Sequence, residues 1–270
     1  MAAVVLTTAA NTVQAFQMAV APMRFEFELG PRPVTRALKL INQSDEDMEI
    51  AIRVANFDMD ENNNLREIAP SANSLDQSII IRPLKFSVKA GETRTIRFAV
   101  RPFKRPKAGE HRAVIFLERA DKPKQNKGKI NVGFRFGVVI YAHAGTPVRR
   151  AQLHGVAADP GGIRFDIQSS GSAHVRMTGT YGVWPAATFP GNTIAAAMIA
   201  PSEFNRNKAH MPRGASAADL LPNLPVLPGS RRSLIAHFKK KLPPGNYRAL
   251  VRGNLEGISL DRVLSFSVGG

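Results

Sequence analysis

The chain has no cysteine, which removes disulfides and thiolate metal sites from the means by which it could be stapled or do chemistry. Polar aromatics are scarce too, with 1 tryptophan and 3 tyrosines beside 15 phenylalanines. Platforms that stack successive bases need more such rings along a groove, so nucleic acid is not an expected partner. Acidic residues are outnumbered, 21 against 37 basic, for a formal net charge of +16. The excess divides as +7 over residues 1–146 (22 basic, 15 acidic) and +9 over residues 147–270 (15 basic, 6 acidic). It is scattered over strands and loops, a pattern that serves solubility, an anionic lipid or an acidic protein partner. Beyond the first fifteen residues no stretch approaches the roughly 18 apolar residues of a membrane span, and membrane insertion is not expected.

Catalytic constellations are also missing. The histidines His111, His143, His154, His174, His210 and His237 are dispersed, and none forms a His-x-x-x-His pair of the kind that places two ligands on one helical face. Asp58, Asp60 and Glu61 with Asn62, Asn63 and Asn64 resemble part of a calcium loop, but the glycine and the distal glutamate are misplaced. An acidic hairpin tip is expected there. Neither a glycine-rich phosphate loop nor a Gly-x-Ser-x-Gly elbow is present. Ser172 and His174 are neighbours through a turn rather than members of a triad. The expectation is a protein that is not an enzyme and has no metal site and no cofactor.

What the chain does have is alternation. Along residues 129–142, Ile130, Val132, Phe134, Phe136, Val138 and Ile140 fall on one face of an extended strand, opposite Lys129, Asn131, Gly133, Arg135 and Gly137. Phe25, Phe27 and Leu29 alternate in the same way, and shorter strand-like runs follow at 37–41, 50–54, 79–81, 95–100 and 111–118. About seven strands at this spacing without a helical period indicate an antiparallel sandwich. Gly145, Thr146 and Pro147 break the pattern, which resumes at 162–168, 173–184, 233–238, 247–252 and 263–268. The fold class read from this is all-β, with two sandwich domains in tandem: residues 22–144, a linker at 145–149, and residues 150–270. Residues 185–225, rich in proline, alanine and asparagine, read as an insertion between strands, with a short helix near Ile194 to Ile199. Residues 1–21 read as a leader for export, with small residues at Val13, Gln14 and Ala15 for cleavage, although the basic start of such a segment is lacking.

Several segments in order resemble the periplasmic chaperones of pilus assembly by the chaperone–usher route. They are Arg82 to Arg97, where a proline-bearing strand meets an Ala90-Gly91 turn and a second strand; Gly109 to Glu118; and the turns at Ser170 to Arg176, Val226 to Arg231 and Leu242 to Arg248. The resemblance spans about residues 22–268 and implies two immunoglobulin-like domains. It also implies a periplasmic location, pilus subunits and an outer-membrane usher as partners, and a free state that is a monomer or a capped self-dimer. The last strand of the first domain would be lent to a subunit lacking one strand, with Ile130, Val132, Phe134 and Phe136 inserted. Val138 and Ile140 would stay in the chaperone's own core. The family holds the subunit's terminal carboxylate with an arginine on the first strand and a lysine late in the last. Arg24 matches the arginine; near Val139 there is no lysine, and Arg135 or His143 would have to substitute. Ala120 to Gly128 reads as a solvated loop before the lending strand.

A second reading is a secreted structural or adhesive component of a pilus or cell surface. It would need a donor segment, for which Phe16, Met18 and Val20 alternate.

Overall fold

The structure, a computed structural model, describes residues 18–60, 64–120, 134–205, 208–209 and 211–269. Ile130 and Val132, the proposed cleavage positions and the 121–128 loop lie outside these residues. The first sandwich contains β1 (Met18–Ala21), β2 (Arg24–Leu29), β3 (Val34–Asn42), β4 (Met48–Met59), β5 (Leu65–Ile68), β6 (Ile79–Ile81), β7 (Lys85–Val88), β8 (Thr93–Val100), β9 (Gly109–Arg119) and β10 (Arg135–Ala144). One sheet runs β1-β3-β8-β6; the other runs β2-β10-β9-β4-β5, with β7 also on β4. Alternate residues of both sheets face inward, and Phe25, Phe27, Leu38, Ile50, Phe98, Ile115, Val138 and Ile140 are buried together between them. Val138 and Ile140 are thus core residues, as the alternation requires.

The turn from β7 to β8 works because Gly91 adopts φ +71°, a conformation that costs other residues steric strain. Beside it, the buried Asn42 side chain donates to the carbonyls of Glu46, Val88 and Lys89, and accepts from the Ser44 hydroxyl at 2.6 Å. These bonds tie the end of β3 to the end of β7.

Residues 18–21, assigned above to the leader, belong to the first sandwich. β1 pairs with β3 from Met18↔Asn42 to Ala21↔Lys39, and Met18 and Val20 are buried. Alanine, valine and methionine are as suitable for an edge strand as for an export signal, so composition could not separate the two.

The second sandwich follows with β11 (Ala151–Asp159), β12 (Gly162–Ser169), β13 (Met177–Pro185), helix α1 (Asn192–Met198), β14 (Phe204–Asn205), β15 (Lys208–Ala209), β16 (Ala217–Leu220), β17 (Arg231–His237), β18 (Gly245–Leu255), β19 (Ile258–Ser259) and β20 (Arg262–Val268). Its sheets are β11-β12-β17 and β16-β13-β18-β19, with β20 on β18. Within 185–225 the short helix is present, but Ala217–Leu220 also pairs with β13, so part of the expected insertion is an edge strand. The two sandwiches give the all-β, two-domain architecture that the strand pattern indicates.

Candidate functional site

Three features meet along β10. The first is its edge. On one side β10 pairs with β9 along its whole length, from Arg135↔Glu118 to Ala144↔Gly109. On the other it pairs in parallel with β2, but only from Val139↔Arg24 to Ala144↔Leu29. The chain enters β2 at Met23, whose carbonyl accepts from Val139 N–H at 3.0 Å, and before that it lies in the opposite sheet as β1. Because backbone groups alternate sides along a strand, Gly137 and Arg135 turn their N–H and C=O the same way as Val139. Among the described residues no strand meets them there. On the inner face Phe134 and Phe136 are half-buried against the core, their ring centres 5.3 Å apart.

The second feature is a cleft of about 1080 Å³ where the two sandwiches meet. Met23 and Arg24 line it from the first, and Thr178, Leu221, Arg252 and Asn254 from the second. The Arg24 side chain is exposed there. Arg252 brings a second cation, loosely balanced by Asp261 at 3.6 Å.

Arg135 is not beside Arg24. It lies four residues from the position opposite Arg24, or about 13 Å along a strand. Its guanidinium stacks on the Phe116 ring, 3.7 Å from the centroid, and pairs with Glu67 and with Glu118, the latter at 2.9 Å. Arg53 closes the same network on Glu67. Hydrogen bonds from Arg53, then from Arg135, hold the Glu67 carboxyl down at about 2. The other substitute, His143, points into the joint between domains.

That joint is the third feature. Glu110 is buried, and one of its oxygens, Oε2, accepts from the His174 backbone N–H at 3.0 Å and from His174 Nδ1–H at 2.5 Å. His143 Nε2 lies 3.4 Å from the same oxygen, while Arg112 reaches Oε1 at 3.2 Å. Arg176 Nε–H donates to His174 Nε2 at 2.9 Å. Burial alone would raise the Glu110 carboxyl, but hydrogen bonds from His143 and His174 outweigh it and hold the group well below the usual carboxylate range. The Tyr141 ring packs tilted against that of His174, centroids 4.4 Å apart, and burial pushes its hydroxyl up to about 12. The backbones also meet: Glu110 N–H donates to Ser172 C=O at 2.8 Å. Gly109, at φ +125°, lets the strands approach, since a Cβ there would sit 3.3 Å from that carbonyl oxygen.

Glu110, His143 and His174 have the composition of a metal site, and their ligand atoms lie within 4.8 Å of one another. The proton positions oppose that use. With Arg176 donating to Nε2, the His174 proton sits on Nδ1, the atom that would have to carry its lone pair to a metal. The Ser172 hydroxyl accepts from Val148 N–H at 3.0 Å, and His174 Nε2 is taken up by Arg176. The arrangement is a cross-domain latch. Sequence reasoning treated these histidines as dispersed because Glu110 is 33 positions from His143 and 64 from His174.

No helix among the described residues is long and apolar enough to cross a membrane. No family model and no curated protein matches the chain. Solved structures similar to it include a chaperone–tip adhesin complex of CFA/I fimbriae biogenesis, with 13% identity and a TM-score of 0.45 over 93% of this chain and 98% of that one. The chaperone–tip adhesion subunit pre-assembly complex of archaic chaperone–usher Csu pili from Acinetobacter baumannii gives 13% and 0.44 over 93% and 98%. The Salmonella enterica SafA pilin in complex with the SafB chaperone gives 9% and 0.44 over 94% and 97%. At low identity and along nearly its whole length, the chain is similar to chaperones of fimbrial assembly.

Proposed function

We propose that the protein is a periplasmic chaperone that captures pilus or fimbrial subunits by donor-strand complementation and delivers them to an outer-membrane usher. The observation that carries this reading is the outer edge of β10 at Arg135 and Gly137, left without a strand among the described residues while Phe134 and Phe136 continue the apolar stripe. A subunit lacking one strand exposes a groove and a row of backbone groups, and β10 offers the complement to both. Ile130, Val132, Phe134 and Phe136 are the proposed inserted residues. Burying each large apolar side chain contributes roughly 1.5–3 kcal/mol before ordering costs are deducted.

The subunit's terminal carboxylate is proposed to dock at Arg24, in the cleft between the sandwiches. Arg135 is a weaker candidate for that role, because Glu67 and Glu118 already engage it. The alternative of a polymerising surface component loses part of its donor segment, since Met18 and Val20 face the core of their own sandwich. The test is capture of a cognate subunit in periplasmic extracts. Val132→Asp and Phe134→Asp are expected to abolish co-purification while circular dichroism of the free protein is unchanged. Undiminished capture by both variants would overturn the donor-strand role.

A further inference from the structure

A second surface lies on the first sandwich, away from the β10 edge. The β8–β9 connection, Arg101 to Ala108, and the β2–β3 turn, Gly30 to Pro33, enclose a groove of about 880 Å³. We propose that this groove is a docking surface for an acidic polypeptide segment bearing apolar side chains, with Phe103 as its aromatic anchor. The proposal stands independently of the donor-strand reading.

Phe103 is 81% exposed, against 54% for Ile194, the next most exposed large hydrophobic residue described. A ring so placed contributes nothing to its own core and gains most of its burial from a partner. Arg32, Arg101, Lys104 and Arg105 line the groove with it and are exposed, as is Lys107 just beyond, and among the described residues none of the five pairs with a carboxylate. Other cations of the protein do meet carboxylates, among them Arg53, Lys85, Arg149 and Arg231. Neither segment contains an acid. The nearest in sequence are Glu28, at the end of β2, and Glu110, buried in the latch. The positive field is therefore uncompensated at the groove, and complementarity selects a negative partner.

The shape favours a chain segment over a lipid surface. The cations rim a hollow, which a strand or loop can enter and a flat bilayer cannot. Pro31, Pro33, Pro102 and Pro106 restrict the backbone of both walls, which lowers the ordering cost of binding.

The test uses the full chain and a short fluorescein-labelled peptide of alternating glutamate and leucine, read by fluorescence anisotropy at fixed salt. Saturable binding is expected. Phe103→Ala should weaken it about fivefold with charge unchanged, and the pair Lys104→Glu and Arg105→Glu at least about tenfold. The charge-matched pair Lys240→Glu and Lys241→Glu, in the second sandwich, should change it less than about twofold. These are surface positions, and urea midpoints equal to wild type verify folding. Three results would overturn the proposal: no binding, equal losses from the two charge-reversal pairs, or a Phe103→Ala variant that binds as wild type. Tighter binding to phosphatidylglycerol vesicles than to the peptide would also overturn it, in favour of a lipid surface.

Discussion

Within β10, residues 139–144 lie between β2 and β9, and the inward Ile140 and Ala142 are fully buried. Residues 135–138 belong to the same strand and the same alternation, yet β2 starts only opposite Val139. The two halves differ in what covers them rather than in their own chemistry. At the closed half, Tyr141 and His143 face a latch in which one carboxylate binds both domains. At the open half, pairing with β9 keeps the strand extended with its other edge bare, while Arg135 sits over the Phe116 ring and pairs with Glu67 and Glu118. A strand can be offered to a partner when its other end is clamped, because the clamped end fixes direction and register for the free one.

The largest expected effect strikes the closed half. Glu110→Ala removes the acceptor shared by His174 and His143 and strands Arg112, so stability should fall by about 3–5 kcal/mol in urea denaturation. Glu110→Gln, which keeps the shape, should cost less. The pH dependence has a fixed sign: because the Glu110 carboxyl is depressed in the fold, its contribution is present above the ordinary carboxylate range. That contribution is lost as pH falls below this range, so the urea midpoint gap between wild type and Glu110→Gln should narrow under acid. A gap that widens there would contradict the latch.

The open half should respond in function rather than stability. Phe136→Asp is expected to reduce subunit capture at least about tenfold while lowering stability by about 1–2 kcal/mol, since the ring is only partly in the core. Arg24→Ala should weaken capture by about tenfold with no change in the urea midpoint, as an exposed arginine at the cleft contributes to the partner alone. Arg135→Ala should do least. Its exposed pairs contribute about 1 kcal/mol or less, and capture should be nearly normal. If Arg135→Ala lost capture as fully as Arg24→Ala, the carboxylate site would have to be redrawn around both.

The sandwiches were readable in advance because strands with one buried face alternate with period two, as Phe25, Phe27 and Leu29 do. The same rule placed Val138 and Ile140 in the core. It gave no help with Leu65–Ile68 or Ala217–Leu220, four-residue edge strands too short to show a period. Met18–Ala21 failed for another reason: an apolar edge strand and an export signal draw on the same residues. For the site, Arg24 came from the family resemblance alone, and the register between β2 and β10 sets Arg135 four residues from the position opposite it, a relation the sequence does not display. The latch was out of reach. Glu110, His143 and His174 come from β9, β10 and the second domain, and only the docking of two sandwiches brings them together.

The most direct test of the open edge is amide hydrogen exchange along β10 in the free protein and after addition of a subunit lacking one strand. Val139, Tyr141 and His143 should be protected throughout, while Arg135 and Gly137 exchange freely alone and become protected in the complex. Protection of Arg135 and Gly137 already present in the free protein, or exchange there unchanged by the subunit, would contradict it.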